Sequence, residues 1–186
     1  NISSLLFSKS SKVLLIGADL RNPQIHKFLN IDKKVNGLSD YIYKESVNWQ
    51  DFIVNVNNLE ILLSGTIPPN PTELLASEKF AKLLEEASEI YDYIVIDSAP
   101  CLLVSDTFEI SKHVDTTLYV VRSNFSETNL CEFINETKNS NKLPGINVVF
   151  NSVGNSRSYG YKYGYQYGYK YGYKYGYNYG YGYGYS

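Results

Sequence analysis

Two aspartates carry the most legible chemistry in this chain: Asp19, after the run Val13-Leu14-Leu15-Ile16-Gly17-Ala18, and Asp97, after Tyr93-Ile94-Val95-Ile96. Each run is strand-length, continuously apolar, and ends on an acid followed by turn-forming residues, Arg21-Asn22-Pro23 in one case and Ser98-Ala99-Pro100 in the other. A strand buried on both faces of a parallel sheet has this pattern. Ligands of open α/β sheets lie in the crevice outside the strand carboxyl ends, so the two acids are expected to share one pocket. Two carboxylates there suit Mg2+, which takes one or two of them, keeps several waters and is completed by substrate phosphates. Taken singly, either acid could instead cap the turn after its strand.

The elements that must position these acids follow from hydrophobic period and turn chemistry. Strands are expected at 12–18, 59–63, 93–97, 117–121 and 146–151. Helices are expected at 23–29, 38–43, 71–90 with a restart at Ser77, 106–112 and 128–139. Asn70 with Glu73 has the pattern of a capping box, with Pro71 suited to the first turn. Trp49, Phe52 and Ile53 read as one apolar helical face. Strands alternating with helices predict an α/β fold, a doubly wound and mostly parallel sheet with right-handed crossovers.

Around this frame, Arg21 could reach phosphate, pair with an acid across a subunit interface, or be solvated. Arg122, following the fourth strand, could approach a nucleotide or form a salt bridge. His26 and His113 have no paired metal ligands and read as structural or exposed, and Cys101 and Cys131 lack metal-ligand spacing, which suits a reducing compartment.

Composition separates the 186 residues into a body, 1–153, expected to be one domain, and a tail, 154–186. The formal charge of -2 divides into -6 on the body and +4 on the tail, the latter from Arg157, Lys162, Lys170 and Lys174. Four spaced cations are a weak footprint for nucleic acid, and no nucleic-acid partner is expected. No apolar run reaches membrane-spanning length. The tail has no aliphatic residue and from 159 to 185 places tyrosine at every odd position: Tyr159, Tyr161, Tyr163, Tyr165, Tyr167, Tyr169, Tyr171, Tyr173, Tyr175, Tyr177, Tyr179, Tyr181, Tyr183 and Tyr185. Recurrent glycine and the lack of aliphatic core residues predict disorder there.

Asp19 with Arg21, the loop Ser64-Gly65-Thr66-Ile67-Pro68-Pro69-Asn70-Pro71, Asp97-Ser98-Ala99-Pro100 and the terminal tyrosine cluster together resemble the cytoplasmic domain of bacterial tyrosine kinases of the capsular and exopolysaccharide chain-length regulators. That family is similar in fold to the Min and Par deviant-Walker P-loop ATPases. The resemblance implies that Asp19 and Arg21 belong to the A-prime motif, that Asp97 is the Walker B acid, and that Asp19 and Asp97 support Mg2+. It implies transfer of the γ-phosphoryl of ATP to the tail tyrosines, on a neighbouring subunit of a ring-like homo-oligomer, with Arg21 serving phosphate or the interface and Asn151 at the adenine. It further implies a membrane-embedded polysaccharide co-polymerase region or adaptor as partner, at the cytoplasmic face of the bacterial inner membrane.

Two departures accompany the resemblance. The Gly-rich Walker A loop is not in this sequence. The opening stretch 1–9 reads as a helix emerging from such a loop, so an upstream segment is expected to supply it, and the chain as written is expected to bind ATP poorly. Gly17 stands where the family pattern has a further aspartate, a candidate base or metal supporter. Two other readings stay open: a non-catalytic scaffold of the polysaccharide machinery acting through a sticky tail, and a partition-type ATPase.

Overall fold

The computed structural model describes residues 3, 11–57, 59–102, 104–123 and 130–153, and the chain divides into two compact units, Asn1–Val114 and Asp115–Ser186. The first is organised on β1 (Val13–Gly17), buried along its whole length. Its alternate side chains enter two separate cores: Leu14 and Ile16 one, Val13 and Leu15 the other. A strand covered on both faces has no place for polar alternation, which is why the run reads as continuously apolar.

After β1 come α1 (Ile25–Phe28), α2 (Leu38–Tyr43), a 3-10 turn (Trp49–Phe52), β2 (Ile53–Val56), β3 (Leu59–Leu62), α3 (Pro71–Leu75), α4 (Glu78–Ser88), β4 (Tyr93–Asp97) and α5 (Asp106–Ser111). The sheet order is β2-β3-β1-β4, with β1 parallel to both β3 and β4 and β2 antiparallel to β3. Helix α4 presents Phe80, Leu83, Leu84 and Ala87 to the core of Leu14 and Ile16, while Ile25 of α1 packs against the core of Val13 and Leu15. Helical layers on both faces of a mainly parallel sheet make the fold doubly wound. Burying each large side chain of α4 contributes about 2 kcal/mol.

Two local expectations differ from what forms. Trp49 and Phe52 lie in a single 3-10 turn, and Ile53 starts an edge strand in register with Leu62. The β-branched residues Ile53, Val54 and Val56 favour the extended form once β3 offers a partner. Asn70 does not cap its helix. Its Oδ1 accepts from the Tyr43 hydroxyl, and its amide donates to Glu73 Oε2 at 2.6 Å. The restart at Ser77 is present: its Oγ accepts from the Phe80 N–H at 3.2 Å and donates to the Leu74 carbonyl at 2.6 Å.

The second unit contains β5 (Leu118–Arg122), α6 (Leu130–Asn139) and β6 (Asn147–Asn151). β5 and β6 pair in parallel from Leu118 opposite Asn147 to Arg122 opposite Asn151, as a helical crossover permits. The expected tail at 154–186, the opening helix apart from Ser3, and the start of the helix expected at 128–139 lie outside the described residues. Among the described residues no helix is long and apolar enough to cross a membrane.

Candidate functional site

The pairing of β1 with β4 brings the two acids to one sheet edge. Gly17 lies opposite Asp97, and the Ala18 N–H donates to the Asp97 carbonyl at 2.7 Å, so Asp19 is carried past the same strand end. Asp19 is 6% exposed, and its Oδ1 accepts the N–H groups of Arg21 at 3.1 Å and Asn22 at 2.9 Å. It therefore does cap the turn after its strand, and the cap fixes where its carboxylate points. Asp97 keeps an exposed surface, yet it lies low enough at the edge that desolvation, followed by the charge of Asp19, pushes its carboxyl up to about 6. Two like charges at close quarters disfavour joint ionisation, and a divalent cation between them removes the conflict. The donor set, two carboxylates from adjacent strand ends, fits Mg2+ with water and phosphate oxygens completing its shell.

Beside this pair stands an acid in the opposite condition. Asp106, at the start of α5, is 0% exposed. Arg21 grips it twice, Nε to Oδ2 at 2.7 Å and Nη2 to Oδ1 at 2.9 Å. Thr72 of α3 donates to Asp106 Oδ1 at 2.6 Å and accepts from Arg21 Nη2 at 3.0 Å. The Arg21 side chain, expected at phosphate, at an interface or in solvent, thus closes a ring of hydrogen bonds within its own unit. Asp106 and Thr72 were not singled out in the sequence, where an acid opening a helix looks like an ordinary first-turn residue.

The loop after β3 is fixed with similar economy. Asp40 Oδ2 accepts the N–H groups of Gly37 at 2.9 Å and Thr66 at 3.1 Å, while its Oδ1 accepts the Thr66 hydroxyl at 2.8 Å. Gly65 has φ +78°, and a Cβ there would lie 2.3 Å from Asp40 Oδ2, so only glycine fits. Ser64 fills the space beside Gly17: a Cβ at Gly17 would come 2.8 Å from Ser64 Oγ and 3.3 Å from Ile25 Cδ1. A larger residue at Gly17, such as an aspartate, would need Ser64 to move.

In the second unit, the register brings Arg122 and Asn151 together at the end of the β5–β6 pair, where the Ser123 N–H donates to the Asn151 carbonyl at 3.0 Å. His26 is buried, and its pKa is lowered by desolvation and by Lys27 and Lys33; His113 is exposed and sits edge-on to Phe80. Among the described residues, no group of three or more His, Cys, Asp or Glu could hold a metal ion. The candidate acceptors from Tyr159 to Tyr185 lie outside the described residues.

A mainly parallel sheet with helices on both faces and acids at its carboxyl edge defines an α/β domain of the P-loop NTPase kind. The fold is shared with a chain of the MinC:MinD cell division protein complex of Aquifex aeolicus, at TM-score 0.64 and 23% identity, covering 83% of this chain and 62% of that one. The kinase domain of VpsO is similar at TM-score 0.71 and 31% identity, covering 78% of this chain and 72% of the other. A putative tyrosine-protein kinase in the cps region of Klebsiella pneumoniae is 41% identical over 125 residues, 66% of this chain. No family model matches the chain. The chain belongs to the bacterial tyrosine-kinase family. It spans only 17% of the length of the Klebsiella relative.

Proposed function

We propose that this chain contributes the Mg2+-binding edge of an ATP-dependent protein-tyrosine autokinase that regulates capsular or exopolysaccharide polymerisation and export. The observation that carries the reading is the pair Asp19 and Asp97, brought to one edge by the β1–β4 register, with Asp97 raised to about 6. Asp19 and Asp97 would hold Mg2+, which would supply charge neutralisation to the phosphates of ATP. A tail tyrosine hydroxyl forms the new O–P bond as the bond to the departing ADP breaks. Its proton leaves late, because the loose transition state makes little early demand for a base, so the absence of a carboxylate at Gly17 is tolerable. Asn151 and Arg122 would approach the base and phosphates.

The tail tyrosines from Tyr159 to Tyr185 are the acceptors, presented in trans by a neighbouring subunit of a ring. The partner is a membrane-embedded co-polymerase region or adaptor, at the cytoplasmic face of the bacterial inner membrane. Each phosphate adds roughly -1.5 to -2 charges, so a few modifications reverse the tail's +4 and convert attraction to the acidic body into repulsion.

A second reading, a non-catalytic scaffold of the same machinery, draws on Gly17, where Ser64 occupies the space a side chain would need. Mass spectrometry of tail peptides separates the two. The full-length gene product is incubated with ATP and Mg2+ beside an Asp97→Ala control. Phosphotyrosine in the parent and its loss in the control are expected. An unmodified tail in both, with nucleotide still bound, would leave the scaffold.

A further inference from the structure

We propose that Arg21 is a positioning residue: clamped on Asp106 and Thr72, it sets the spacing between Asp19 and Asp97 and thereby the affinity of the site for Mg2+. The inference rests on the proposed Mg2+ site and assigns the arginine a task within it.

The geometry is specific. Arg21 spends Nε and Nη2 on the two oxygens of Asp106, and Nη2 also meets Thr72 Oγ1. The main-chain N–H of the same residue donates to Asp19 Oδ1. One residue is therefore held at its side chain by the buried Asp106 and by Thr72, and holds Asp19 by its backbone. At its other end the clamp is Asp106, nine residues beyond Asp97 on the segment that leaves β4. The Arg21–Asp106 pair thus ties together the same two chain segments, after β1 and after β4, that carry the two acids. Thr72 adds the segment after β3, so three strand-following segments meet at one buried carboxylate.

A bidentate ion pair with its carboxylate fully buried and its guanidinium mostly covered is a stiff link, because the arginine cannot leave without stranding the charge of Asp106. Mg2+ demands near-ideal octahedral geometry and punishes loose spacing more than larger cations do. Partners that orient metal ligands from behind typically change metal affinity by 10- to 100-fold when removed. The guanidinium fork is turned to Asp106, which suits an anchor better than a phosphate ligand.

The test must keep the fold intact, and removing one partner alone risks unfolding. The double variant Arg21→Met/Asp106→Leu replaces the pair with apolar groups, a change that buried pairs commonly tolerate. Thr72→Val is the milder second variant, removing only the hydroxyl. Mg2+ is titrated calorimetrically into the full-length gene product saturated with a non-hydrolysable ATP analogue, and analogue affinity is measured separately without metal. The expected result is a fall in Mg2+ affinity of about tenfold in the double variant, a smaller fall in Thr72→Val, and unchanged metal-free analogue affinity in both. Unchanged Mg2+ affinity in a folded double variant would overturn the inference. So would a loss of metal-free analogue affinity with Mg2+ affinity intact, which would make Arg21 a phosphate ligand. Absence of Mg2+ binding in the parent would instead remove the metal site itself, and this inference with it.

Discussion

Asp97 and Asp106 lie nine residues apart on one segment, and they have been given opposite surroundings. Asp106 is wholly buried, yet three hydrogen bonds, two of them from the Arg21 guanidinium, satisfy its charge. Asp97 keeps contact with solvent, yet desolvation and a neighbouring carboxylate push it toward protonation. A protein that compensates one acid so fully and crowds the other with a like charge treats them as different kinds of group. The first belongs to the framework. The second is left for a cation to satisfy.

The contrast breaks most visibly at Asp106. Asp106→Ala strands the Arg21 guanidinium and is expected to cost about 3–5 kcal/mol, read as a lowered denaturation midpoint. A loss below 1 kcal/mol would place Asp106 with the surface acids. The next largest effect is at Gly17. Gly17→Asp inserts a carboxylate against Ser64 Oγ and is expected to cost about 3 kcal/mol from overpacking and desolvation, with a substantial part recovered in Gly17→Asp/Ser64→Gly. Equal stability of the single and double variants would show that Ser64 is not what excludes the side chain.

The smallest effect is at Asp97 and has the opposite sign. A folded-state pKa of about 6 against 3.8 means that the folded protein holds the proton more tightly than the unfolded chain. The corresponding stability is present below pH 3.8 and is lost as pH rises through 6. Without metal, Asp97→Asn should therefore match or exceed the parent above pH 7, by about 1 kcal/mol once solvent screening is allowed for. A flat difference between the two proteins from pH 4 to 8 would remove the electrostatic conflict from the account.

Much of this was legible in the sequence. β1 announces itself because burial on both faces removes polar alternation, while β4, only part-buried, shows through its unbroken apolar run; β4 ends on Asp97, and Asp19 follows two residues after the end of β1. α2 at Leu38–Tyr43 and the restart at Ser77 follow from local turn and cap chemistry. β2 was hidden because Trp49, Phe52 and Ile53 have helical spacing, and only pairing with β3 decides the matter. The partner of Arg21 was hidden for a related reason: Asp106 is 85 residues away, and no local pattern joins them. The capping box at Asn70 yielded to Tyr43, again a tertiary contact overriding a local one.

The most direct test of the central claim, that Asp19 and Asp97 form a cation site, is a thermal melt of the parent and Asp97→Asn with an ATP analogue, each with and without Mg2+. Mg2+ is expected to raise the parent's midpoint, whereas Asp97→Asn starts at or above the parent without metal and gains nothing from it. An equal Mg2+ increment in both proteins, or a metal-free Asp97→Asn midpoint well below the parent, would contradict it.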